Sequence, residues 1–111
     1  YAYDYLAING AEAFLVHGVV KEQDRWHTDE VQEKRLATAV CAATEVTLRM
    51  RVQEEQVCFA FGADENAMQP LGEWLPMACG GWTSARPGIF CLGTGEGGYA
   101  EFLSCRVQPE L

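Results

Sequence analysis

Basic side chains are scarce. Eight Lys and Arg stand against sixteen Asp and Glu, for a formal charge of -8. Phosphate backbones are held by basic patches that release counterions, so this balance excludes a nucleic-acid partner and disfavours an anionic membrane surface. Long apolar runs are missing too. None approaches the roughly 20 residues of a spanning helix, and no basic region followed by an apolar stretch opens the chain, so no membrane partner is expected. The five cysteines (Cys41, Cys58, Cys79, Cys91 and Cys105) form no CxxC pair, and no histidine stands at zinc-ligand spacing. No metal or other cofactor is therefore expected. Most of these cysteines sit among apolar neighbours and read as buried reduced thiols, which fits a cytoplasmic location; a disulfide between two of them stays open.

What is present is ordinary for a globular chain: 111 residues, 49% apolar and 22% charged. That is one domain over residues 1–111, able to bury about two thirds of the surface its unfolded form exposes. It opens at Tyr1 inside a strand-like run, and the expectation is the C-terminal portion of a longer chain. Tyr1 to Ile8 and Phe14 to Val20 are rich in aromatic and branched residues on either side of Asn9-Gly10, a two-residue hairpin signal. Lys21 to Gln32 is polar and reads as a long loop or ragged edge strand, and Lys34 to Cys41 resumes apolar content.

In Val46 to Val52 apolar and polar residues alternate strictly. At period 2 this sends Val46, Leu48, Met50 and Val52 to one face, read as core, and Thr47, Arg49 and Arg51 to the other. After a Gln53 to Gln56 turn, Val57, Phe59 and Phe61 again suit a buried face. Met68 to Leu71 reads as a short strand that Pro70 confines to an edge or an irregular position. Gly72 to Ser84, with Pro76, Gly80 and Gly81, reads as a long connection. Ile89 to Leu92 and Tyr99 to Val107 are expected strands around a glycine-rich turn. Roughly seven to nine short strands without a 3.6-residue period imply an all-β antiparallel sandwich or barrel.

Catalytic chemistry finds little support. Gly93 to Gly98 lacks the GK[ST] ending and the helix of a phosphate loop. The acidic pairs Asp29-Glu30, Glu54-Glu55 and Asp64-Glu65 lack calcium-loop spacing and read as solvated turns. His17 lies in an apolar run and reads as a sheet residue, while His27 reads as an exposed loop residue. No serine or cysteine occupies a nucleophile turn, so no catalytic residue is assigned. Phe59, Phe61, Phe90 and Phe102 read as core. Trp26, Trp74 and Trp82 lie in or beside loops, where an indole either folds back over a core edge or offers a flat face and an N–H donor to a sugar.

Residues 44 to 107 bring a resemblance into view. The segments "TEVTLRMRV" (44–52), "VCFAFGADENAMQPLG" (57–72), "GWTSARPGIF" (81–90) and "GYAEFLSCRV" (98–107) resemble, in order and spacing, strands of the C-terminal concanavalin A-like β-sandwich of family 43 glycoside hydrolases, the β-xylosidase and α-arabinofuranosidase group. The opening "YAYDYLAI" resembles an earlier strand of that domain. Asp64-Glu65 stands where Asp-Gly is usual, Met68 replaces an aromatic residue, and Pro87 replaces an apolar one. The resemblance implies a jelly-roll sandwich that packs on a catalytic five-bladed propeller of the same polypeptide and acts with it on xylo- or arabino-oligosaccharides. It further implies that Trp82 helps close the substrate pocket, with Arg86 near the rim; Trp74 and Trp26 are further candidates for sugar stacking. The family's domain has strands ahead of the position matched by Tyr1, so a missing upstream part or an open sheet edge is expected. A stand-alone carbohydrate-binding module, or a structural sandwich that forms homo-oligomers, are the alternatives.

Overall fold

The computed structural model describes residues 2–21, 30–77, 87–92 and 100–108. Among these residues six strands are formed: β1 (Ala2–Asn9), β2 (Glu12–Lys21), β3 (Glu30–Val40), β4 (Thr47–Gln53), β5 (Gln56–Gly62) and β6 (Met68–Pro76). They make two antiparallel three-stranded sheets, each in chain order, β1-β2-β3 and β4-β5-β6. The two sheets stack as a β-sandwich, as the turn spacing and the lack of helical period imply.

The hairpins explain the sequential order. Asn9 pairs with Glu12, so Gly10 and Ala11 are the loop residues of β1–β2. Gln53 pairs with Gln56, leaving Glu54 and Glu55 as the loop of β4–β5. Both glutamates have positive φ, 49° and 63°, as a type I′ turn requires, although neither is the glycine or asparagine that usually supplies it.

The core lies between the sheets. Leu6, Ala13 and Leu15 of sheet 1 meet Val57, Phe59, Phe61 and Leu71 of sheet 2, with Cys41 beside them. Ile8, Ala37, Ala39, Val46, Leu75 and Met77 pack around this centre. Gly72 permits a close approach between layers: its φ is +78°, and a Cβ there would stand 2.7 Å from Leu15 Cδ2. Leu15 is fully buried, so a side chain at position 72 would have no space.

A bulge shapes sheet 1. Leu15 pairs with Ala37 and Val16 with Arg35, so Leu36 is the extra residue on β3. Cross-strand partners share a face. Ala37 and Ala39 therefore stay on the inner side with Leu15 and Ala13, while Arg35 and Glu33 join Val16 and Gly18 on the outer side.

Several expectations need correction. β6 runs through Gly72 to Pro76, where a connection was expected; among the described residues it is an edge strand, the place in a sheet where prolines such as Pro70 and Pro76 are tolerated. Residues 87–92 and 100–108 form no strand, and Ile89, Leu92, Phe102, Leu103 and Val107 are exposed. Their apolar content becomes a strand only where a neighbouring edge and a face to cover are offered. For the same reason Phe90 and Phe102 are not core, and Cys91 and Cys105 are exposed thiols. Cys41 is buried and Cys58 half-buried, both free, and Cys79 lies outside the described residues. Leu48, Met50 and Val52 do share the face of Phe61, Phe59 and Val57, but they are exposed.

Candidate functional site

Among the described residues, the outer face of sheet 1 brings aromatic and charged side chains together. In the run Tyr3-Asp4-Tyr5-Leu6, alternation turns Leu6 and Asp4 inward and both tyrosines outward. The outer side then gathers Tyr3 and Tyr5 from β1, Phe14, Val16 and Gly18 from β2, and Glu33 and Arg35 from β3. Val16 and Val20 are buried on this side, so sheet 1 covers apolar surface on both faces. Gly18 lies beneath the Tyr3 ring, where a Cβ would collide with the aromatic carbons.

Tyr5 is the hub. Its ring stacks on Tyr3 with centroids 6.1 Å apart and planes inclined by 11°, and it meets Phe90 edge-on at 5.2 Å. Its hydroxyl donates to Glu33 Oε2 at 2.6 Å. That bond to a carboxylate, helped by burial and by the Glu33 charge, pushes the phenol up to about 12 from 10.0. Alongside, the Arg35 guanidinium stands 4.1 Å over the centre of the Phe14 ring and pairs with Glu12. The result is an aromatic surface rimmed by paired charges.

A second polar group lies on the inner side, where sheet 1 extends past its apolar centre. His17 Nδ1 and Asp4 Oδ1 are 2.7 Å apart, with Asp4 nearly buried and His17 part-exposed. A carboxylate that orients an imidazole is one half of an acid–base apparatus. His17 was expected to be a satisfied sheet residue, and this partner is what satisfies it. Among the described residues no group of three or more His, Cys, Asp or Glu could hold a metal ion. Glu65 pairs with Arg106, tying the 100–108 segment to the β5–β6 turn.

The residues singled out from the sequence are not gathered into one place. Trp74 lies within β6 on sheet 2, exposed, while its neighbour Leu75 packs on the core. It is a strand residue, in contrast to the loop position expected, and it stands on a different sheet from the tyrosines. Trp26, Trp82 and Arg86 lie outside the described residues, as does His27. The tyrosine cluster was missed by a reading that looked for tryptophan. Its signal was the period-2 "YAYDYL", with aromatic residues on the side opposite Leu6.

The family of β-xylosidase C-terminal concanavalin A-like domains matches residues 1–108. No curated protein and no solved structure matches the chain.

Proposed function

The chain belongs to the family of C-terminal concanavalin A-like domains of β-xylosidases, and from that premise we propose that it is an accessory sandwich that packs on a catalytic propeller and helps close its substrate pocket. The observation that carries the reading is the match across residues 1–108, joined to the two stacked antiparallel sheets. Hydrolysis with inversion takes a general acid that protonates the leaving sugar oxygen and a general base that activates water, about 6.5–9.5 Å apart. In this reading both carboxylates belong to the propeller.

The contribution of this chain is shape and exclusion of water. Trp82 lays an indole against the substrate, where an apolar wall strengthens the electrostatics of the catalytic pair and fixes the sugar between them. Arg86, four residues on, faces the rim, and the thiols are reduced in a cytoplasmic setting. The substrate class is short xylo- or arabino-oligosaccharides.

Trp82→Ala in the polypeptide that carries the catalytic domain is expected to lower kcat/KM on a nitrophenyl xyloside or arabinoside by about tenfold, the scale of one well-placed apolar contact. Unchanged kinetics would remove the role given to Trp82. Binding of xylo-oligosaccharide by the 111-residue chain alone, read by tryptophan fluorescence, would favour an independent carbohydrate-binding module instead.

A further inference from the structure

The arginines of β4 stand out in a chain with sixteen acids and eight Lys and Arg. The alternation that sends Leu48, Met50 and Val52 to the inner side of sheet 2 turns Arg49 and Arg51 outward. Their partners across the ladder are Ala60 and Cys58 of β5, and the residues that β4 and β5 place on this outer face include no carboxylate. Other arginines are matched at close range. Arg35 pairs with Glu12 and Arg106 with Glu65, whereas Arg49 is exposed and, among the described residues, forms no ion pair. On the far side of β5 the face carries an indole. Val57 pairs with Leu75 and Phe59 with Leu71, so Gly72, Glu73 and Trp74 stand opposite Cys58. Leu75 packs on the core, which turns its neighbour Trp74 to the outer side, where it is exposed. β4 and β6 lie two strand spacings apart, about 9.6 Å. Between them, in the rows of Arg49 and Arg51, β5 offers the short side chains of Ala60 and Cys58.

Resting on the oligosaccharide substrate class proposed above, we propose that the outer face of sheet 2 binds an oligosaccharide carrying a uronic-acid branch. An indole offers a flat apolar face to the C–H side of a pyranose ring. A guanidinium offers paired N–H donors that match both oxygens of a carboxylate. Trp74 therefore takes a sugar ring, and Arg49 takes the carboxylate of the branch, with the Arg51 charge in the next row adding to the field. A local surface of one sign attracts the opposite charge even when the whole chain is acidic. Neutral sugar alone would leave the guanidinium without its partner, so the branch carries the specificity.

The test is calorimetric titration of the full polypeptide, catalytic domain included, with xylotetraose bearing a glucuronic-acid branch, with the same sugar bearing a glucose branch, and with unbranched xylotetraose. The polypeptide should bind an extra equivalent of the acidic sugar, and salt should weaken that binding. Arg49→Gln should weaken it about tenfold or more, the scale of a hydrogen bond to a charged group. Arg49→Lys, which keeps the charge without the two-pronged geometry, should fall between parent and Arg49→Gln. Trp74→Ala should weaken it about three- to tenfold, and Trp74→Leu, which keeps apolar bulk without the flat ring, serves if Trp74→Ala is too unstable to titrate. Equal binding of the acidic and glucose-branched sugars, or an extra equivalent that survives Arg49→Gln, would overturn the proposal. So would tighter binding of a tetraglutamate peptide, which would make the face a contact for acidic protein. The pocket reading is tested apart from this, by kinetics on a nitrophenyl xyloside, so failure of the branch site leaves it standing.

Discussion

Val57, Phe59 and Phe61 of β5 stand opposite Val52, Met50 and Leu48 of β4 on one face of one sheet. The first three are 5%, 7% and 3% exposed, and the second three 53%, 41% and 46%. Residue types and periodicity are matched across the pair, so neither explains the difference. What differs is the layer above. β6 and β5 lie under sheet 1, with Leu71 and Phe59 against Leu15, whereas β4 is the far edge and projects beyond that cover. Sheet 1 shows the opposite condition, with its outer face buried at Val16 and Val20 as well as its inner one. Alternation chooses the face of a strand; burial depends on what the rest of the fold lays over it.

Truncation should separate the two strands. Phe59→Ala should cost about 3–5 kcal/mol, the usual price of emptying a buried phenylalanine site. Met50→Ala, directly opposite, should cost under about 1 kcal/mol, because little of its surface leaves water on folding. Urea unfolding of both variants checks this, and equal losses would mean that β4 is covered after all. A smaller effect of opposite sign is expected at the turn joining the two strands. Glu54 and Glu55 both sit at positive φ, where a non-glycine residue is strained by about 1 kcal/mol or more. Replacing the pair by Asn-Gly should raise stability by about 1 kcal/mol without moving the register.

The smallest effect belongs to the outer face of sheet 1 and appears only in alkali. The Tyr5 phenol is raised to about 12 from 10.0, chiefly by its hydrogen bond to Glu33. A raised pKa in the folded state means that the stabilisation is complete below pH 10 and is lost as pH climbs through about 12. Tyr5→Phe should remove that loss, so the difference in urea midpoint between parent and variant should shrink across this window. A constant difference would show that the hydroxyl is not held by Glu33.

Much of the scaffold was legible because hairpins and period-2 faces are local. "NG" placed the first hairpin to within one residue, and "VTLRMRV" gave the correct shared face for Leu48, Met50 and Val52. The misreadings all concern information held elsewhere in the fold. Pro70, Gly72 and Pro76 break regular structure in general, yet β6 absorbs them because among the described residues it is an edge strand and the Leu15 side chain packs close to position 72. "GIFCL" and "EFLSCRV" have strand composition, but among the described residues no edge pairs with them. The tyrosine cluster was legible only in part: Tyr3 and Tyr5 alternate as outward residues should, but their convergence with Glu33 and Phe90 depends on the bulge at Leu36 and on a contact across 85 positions of chain, between Tyr5 and Phe90.

Under the proposed function this sandwich shapes a pocket whose chemistry another domain supplies. The most direct measurement is release of nitrophenol from a nitrophenyl xyloside by three preparations at equal molarity: the 111-residue chain, the catalytic polypeptide without it, and the two joined. The expected result is no release by the chain alone, reduced turnover by the catalytic polypeptide alone, and full turnover only when they are joined. Hydrolysis by the isolated chain, or full turnover in its absence, would contradict it.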